Sequence, residues 1–124
     1  MIVNSTSEIR QTAPGLANGE TDPEARSLET AGWVCFRNRM GRALFFRLAA
    51  APPPVGWQAT GLWVDARAED LVTIYARVED LGREVWTALR DLDIGARVLV
   101  EGRAYRTLVG GWVLRVTRWR SLED

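Results

Sequence analysis

The sequence predicts an all-β protein, a small five-stranded barrel with one short helix between the third and fourth strands. Three observations predict it. Two segments, Arg42–Leu48 and Leu71–Arg77, alternate apolar and polar residues with the period of a half-buried strand. A helical stripe, Val85, Trp86 and Leu89, follows the second of them. Two long alternating runs, Ala96–Arg106 and Trp112–Arg120, are then joined through Gly110-Gly111, a hairpin signal.

Each element follows from its residues. Residues 1–30 are rich in Ser, Thr, Glu, Gly, Pro and Asn and show no apolar period, so a flexible N-terminal arm is expected, with ordering beginning near Ser27. Trp33–Arg39 is the first strand, ended by a turn at Met40-Gly41. In the second strand Leu44, Phe46 and Leu48 share one face and Ala43, Phe45 and Arg47 the other. In the third, Val72, Ile74 and Ala76 oppose Thr73, Tyr75 and Arg77. The helix spans about Arg83–Leu92, with Gly95 closing it. Gly102, central in the fourth strand, marks a bend at a barrel corner. Five strands with a helix between the third and fourth form the OB-fold Greek-key arrangement, here over residues 31–120, with 121–124 as a tail. Residues 49–70 are an insertion between strands two and three, opening on Pro52-Pro53-Pro54, with an extra strand expected around Gly61–Ala66. That insertion reads as cover for a barrel edge or as an added contact surface through Trp57.

Composition excludes much chemistry. The chain of 124 residues is 47% hydrophobic and 26% charged, room for one domain of ordinary soluble composition. Without histidine or lysine there is no Ser-His-Asp triad, no His-ligated zinc, no phosphate-loop lysine and no Schiff base. The single cysteine, Cys35, reads as a small buried residue between Val34 and Phe36. Asp65, Glu69 and Asp70 read as a solvated charge run. No enzyme, catalytic residue, metal or cofactor is expected. No run reaches the ~18 apolar residues of a membrane span, and no signal peptide opens the chain, so a cytoplasmic protein of unassigned oligomeric state is expected.

All sixteen basic residues are arginine, the better residue for bidentate phosphate contacts and for stacking on bases. The formal net charge is zero, but unevenly spread: residues 31–120 hold fourteen arginines against nine acids, a net of +5. The outward faces collect Phe45, Arg47, Thr73, Tyr75 and Arg77, with Arg37 or Arg39 from the first strand beside them. Aromatic rings accept the face of any base and arginines neutralise phosphates, which makes this a candidate nucleic-acid platform. The plainer alternatives are that Phe45 lies under the insertion, that Tyr75 finishes a second small core, and that the arginines are solvated strand residues. Arg115, Arg118 and Arg120 on the last strand read as a soluble edge or a phosphate track.

The series Met40-Gly41-Arg42-Ala43-Leu44-Phe45-Phe46-Arg47-Leu48, then Ile74-Tyr75, Glu79-Asp80-Leu81, Asp93-Ile94-Gly95, Gly102, Arg106-Thr107 and Gly110 resembles the anticodon-binding domain of class II lysyl-tRNA synthetases. It runs in register from about Gly32 to Arg120, interrupted by residues 49–70. The resemblance implies an OB-fold holding an anticodon loop on its outer face, with Phe45 stacking on a base. It departs from the family at the polar readers: Asn38 stands for an arginine, Thr73 for a glutamine and Gly111 for a glutamate. It therefore implies stacking without the lysine-anticodon code. The synthetase's catalytic domain is expected to be absent. Binding of tRNA or other single-stranded RNA is the favoured expectation. The alternatives are a single-stranded DNA-binding protein and a protein-interaction module partnering a synthetase-like catalytic subunit.

Overall fold

The computed structural model describes residues 1–24, 26–57, 63 and 71–123. The chain runs α1 (Thr6–Thr12), β1 (Leu28–Met40), β2 (Ala43–Ala49), β3 (Val72–Arg77), α2 (Val78–Leu81), α3 (Arg83–Arg90), β4 (Arg97–Arg106) and β5 (Trp112–Ser121). The strands close into a barrel in the order β1-β2-β3-β5-β4. The first half of β1 pairs with β4 and the second half with β2, while β3 and β5 run parallel at Ile74–Leu114 and Tyr75–Arg115. This is the OB-like arrangement the sequence predicts.

Alternation decides which side chains fill the barrel. Leu44, Phe46 and Leu48 of β2 and Val72, Ile74 and Ala76 of β3 are buried, with their alternate neighbours on the outside. Val98, Val100, Ala104, Leu114 and Val116 complete the interior from β4 and β5. Gly102 sits at a bulge beside Glu101. A Cβ there would lie 2.2 Å from the carbonyl oxygen of Arg115, so β4 and β5 approach each other at a distance only glycine allows.

The helix after β3 is shorter than expected and presents Trp86 and Leu89 inward, while Val85 is exposed. The Trp86 indole N–H donates to the Ala76 carbonyl at 3.1 Å, which ties α3 to the end of β3.

Two expectations are corrected. The N-terminal segment, expected as a flexible arm, is packed onto the barrel. Ser5 caps α1 by accepting from the Glu8 amide at 3.2 Å, and Glu8 in turn accepts from the Asn4 amide. Val3, Ile9 and Leu16 are buried in the main core. Gly19 and Asp22 donate backbone hydrogen bonds to Arg106 and Ala104, and Arg106 donates to Glu20, so residues 19–22 lie along the C-terminal end of β4. Apolar residues that dock singly, each between polar neighbours, leave no period for a sequence to show.

The second correction concerns β1. A bulge between Val34 and Phe36 makes both Val34 and Cys35 buried and reverses the alternation beyond it. Phe36, Asn38 and Met40 then share a face with Arg47, Phe45 and Ala43, and Arg37 and Arg39 fall on the opposite side, opposite Phe46 and Leu44.

Of the insertion, the extra strand expected around Gly61–Ala66 and the acidic run Asp65, Glu69 and Asp70 lie outside the described residues. Trp63 donates its indole N–H to the Ala51 carbonyl at 3.1 Å and packs on Cys35, Ala49 and Leu71.

Candidate nucleic-acid interface

The outer face of β2, β3 and β5 is built by the register. Phe45 is paired with Asn38 on one side and Tyr75 on the other, Arg47 with Phe36 and Thr73, and Tyr75 with Arg115. Cross-strand neighbours on one face lie within reach of aromatic side chains. The rings of Phe45 and Tyr75 stack at 4.9 Å between centroids with 26° between planes, and Tyr75 stacks on Tyr105 at 5.3 Å and 16°. A three-ring row thus runs across the sheet, with the Arg115 guanidinium 5.5 Å from the Tyr105 ring.

A cleft opens at the Phe45 end of this row. Its floor is Phe45, Arg47 and Thr73; one wall is Thr6, Ser7 and Arg10 of α1; the other is Gly111, Trp112 and Val113 after the hairpin. The α1 wall is fixed to the floor, because the Thr6 hydroxyl donates to the Leu71 carbonyl at 2.9 Å and sits 3.5 Å from the Thr73 hydroxyl. The hairpin wall is set by Thr107, whose amide and hydroxyl close the turn on Gly111 at 2.8 and 2.9 Å. The Phe45 ring thus lies between a polar wall and a largely apolar one, with Arg47 and Arg10 as the cations of the cleft.

The sequence-selected residues divide. Phe45, Arg47, Thr73, Tyr75, Arg77 and Asn38 come together on the outer face. Arg37 and Arg39 do not. Arg37 donates to the Arg90 and Leu92 carbonyls and so caps the C-terminal end of α3, where a cation is favourable. Arg39 lies 5.4 Å over the Trp86 ring. Arg77 pairs with Glu79 at 3.3 Å, and Glu79 also takes Arg42 at 2.7 Å, which holds its carboxyl below the usual range. Such exposed pairs are worth little and yield readily to a phosphate. Burial pushes the Tyr75 hydroxyl above its ordinary value, although Arg77 opposes the shift. The ring therefore stays neutral at neutral pH.

Sequence reading missed Phe36, Tyr105 and Arg10. Phe36 is 42% exposed on the outer face because of the bulge. Tyr105 is buried on β4, which β5 separates from β3, so only the folded barrel brings its ring against Tyr75. Arg115 is held by Asp80 through two hydrogen bonds of 2.8 and 2.9 Å, which raise its pKa further, so it is an anchored part of the face. Cys35 is structural: burial pushes its thiol up, and its Sγ–H donates to the Arg47 carbonyl at 3.4 Å. Among the described residues no group of three or more acidic or sulfur ligands is placed to hold a metal, and no helix is long and apolar enough to cross a membrane.

No protein-family model matches the chain, and no curated protein matches it. Solved structures do. Asparaginyl-tRNA synthetase from Pyrococcus horikoshii superposes with a TM-score of 0.57 at 20% identity, over 82% of this chain. The same enzyme complexed with asparaginyl-adenylate gives 0.58 at 19% identity over 82%. The matched region is about a fifth of the synthetase's own length, 21% and 20% in the two structures. At this identity the likeness is one of fold.

Proposed function

We propose that this chain is a non-catalytic OB module that binds single-stranded nucleic acid, with tRNA or another single-stranded RNA as the favoured ligand. The observation that carries the reading is the Phe45 cleft: an aromatic floor with Arg47 beside it and Arg10 on its wall, backed by the stacked Tyr75 ring. Stacking on such a floor is worth about 1–3 kcal/mol per base and tolerates any base. RNA-binding modules of this kind take unstacked loop bases, and an anticodon is such a loop. The likeness to a tRNA synthetase and the resemblance of the β2 motif to lysyl-tRNA synthetase anticodon-binding domains both support tRNA. Thr73 and Gly111, which line the cleft in place of that family's glutamine and glutamate, argue for a specificity other than the lysine anticodon.

Tryptophan fluorescence tests this directly, since Trp112 forms part of the cleft wall. Titration with unfractionated tRNA and with short single-stranded RNA is expected to change the emission at low salt. The binding should weaken steeply as salt rises, because each neutralised phosphate releases counterions. Absence of binding at low salt overturns the proposal.

A further inference from the structure

We propose that Phe36 is a second base-stacking platform beside Phe45, so that the unit held on the outer face is a dinucleotide step; this deepens the nucleic-acid reading above and rests on it. The bulge in β1 carries the argument. Val34 fills the barrel interior, and plain alternation would send Phe36, two residues later, to the same side. The irregularity between them turns the ring outward instead, onto the face of Arg47 and Phe45. Burying a phenylalanine is among the larger apolar contributions to folding, so a bulge that exposes one gives up stability at that position. Bulges beside binding sites re-aim a side chain in this way. The insertion does not cover the ring: Trp63 packs on Cys35, one residue away, and Phe36 is still 42% exposed.

The register fixes the surroundings. Phe36 stands opposite Arg47, and Asn38 opposite Phe45. The four side chains make a crossed square, with the two rings on one diagonal and Arg47 and Asn38 on the other. Diagonal neighbours on one face lie about 7–8 Å apart, well beyond the rise of about 3.4 Å between stacked nucleotides. Two adjacent bases held at that spacing leave each other's stack, and each takes a ring of its own. Arg47, beside both rings in the ladder, is the cation for the phosphate that links them. The exposed Asn38 amide offers a donor and an acceptor to the edge of the base on Phe45. A ring whose neighbours are a cation and a second ring suits a nucleobase, with its apolar face and charged backbone, better than an apolar protein surface.

The test is titration of wild type and Phe36 variants with a short oligouridylate at low salt, with Phe45→Ala as reference. Phe36→Ala is expected to raise Kd about five- to 150-fold, the effect of one stacked base. Its unfolding midpoint should stay near wild type, because the ring is exposed. Phe36→Leu, apolar but without a ring face, is expected to lose most of the same affinity, and Phe36→Trp to keep it. An oligouridylate with every second nucleotide abasic has no adjacent bases, so wild type should bind it at least about fivefold more weakly than the intact oligomer. Phe36→Ala should bind the abasic oligomer no more than about twofold more weakly than wild type does, the statistical cost of one ring in place of two. An unchanged Kd in Phe36→Ala, while Phe45→Ala weakens binding, overturns the second platform and leaves the nucleic-acid reading standing; it is the result expected if the ring met a protein. Wild-type affinity in Phe36→Leu also overturns it, since an apolar contact then suffices. Failure of wild type to bind either the oligouridylate or unfractionated tRNA overturns both readings. Should the Phe36 variants fail to fold, the abasic oligomer decides on wild type alone, and equal affinity for the two oligomers overturns the second platform.

Discussion

Trp86→Ala is expected to lower the unfolding free energy by about 3–5 kcal/mol, the largest effect of any single substitution considered. The ring is 4% exposed and packs into the main core at one end of the barrel. Its N–H satisfies a buried carbonyl on β3, so truncation leaves both a cavity and an unmet acceptor. Arg39 and Arg90, at 5.4 and 5.8 Å from its centroid, lose the surface they lie on. Trp86→Phe separates the contributions: it keeps most of the packing and removes the hydrogen bond, and is expected to cost markedly less. Denaturant unfolding followed by circular dichroism measures both. A cost for Trp86→Ala below about 0.5 kcal/mol, the range of an ordinary surface change, would show that α3 does not close the barrel.

Ile9→Ala is expected to cost about 2–5 kcal/mol, because Ile9 is fully buried and its removal opens a cavity under α1. The measurement decides between two accounts of the N-terminus. If residues 1–27 were only a loose arm, truncating Ile9 would fall within about 0.5 kcal/mol of no effect. If α1 is part of the core, the variant unfolds earlier, and the α1 wall of the Phe45 cleft loosens with it. Weakened RNA binding by Ile9→Ala at a temperature where the barrel is still folded is therefore the second expected result. The expectation follows from position: Thr6 and Arg10, on either side of Ile9 in the same helix, line the cleft.

How far the structure was legible depended on whether local alternation was interrupted. β2 and β3 alternate without a break, so Phe45, Arg47, Thr73, Tyr75 and Arg77 could be assigned to one face from sequence. In β1 the extra residue at Cys35 shifts every later side chain to the other face, and nothing in Val34-Cys35-Phe36 announces a bulge. Arg37 and Arg39 were therefore expected beside Phe45, whereas they serve α3. The N-terminal packing left one readable trace. Ser5 and Glu8 have capping-box spacing, followed at once by Ile9, but a helix of seven residues is too short for its periodicity to stand out from a Ser- and Gly-rich background. Tyr105 joins the ring row only through a contact distant in sequence, which propensity cannot supply.

On the proposed reading, Phe45 is a base-stacking platform rather than an ordinary strand residue. Phe45→Ala, compared with wild type in a titration with single-stranded RNA, tests it most directly. Phe45 lies outside the main core, so the variant should keep a near-normal unfolding midpoint. Its affinity for RNA should fall by about 1–3 kcal/mol, or roughly five- to 150-fold in Kd. An unchanged Kd with the fold intact would contradict the account.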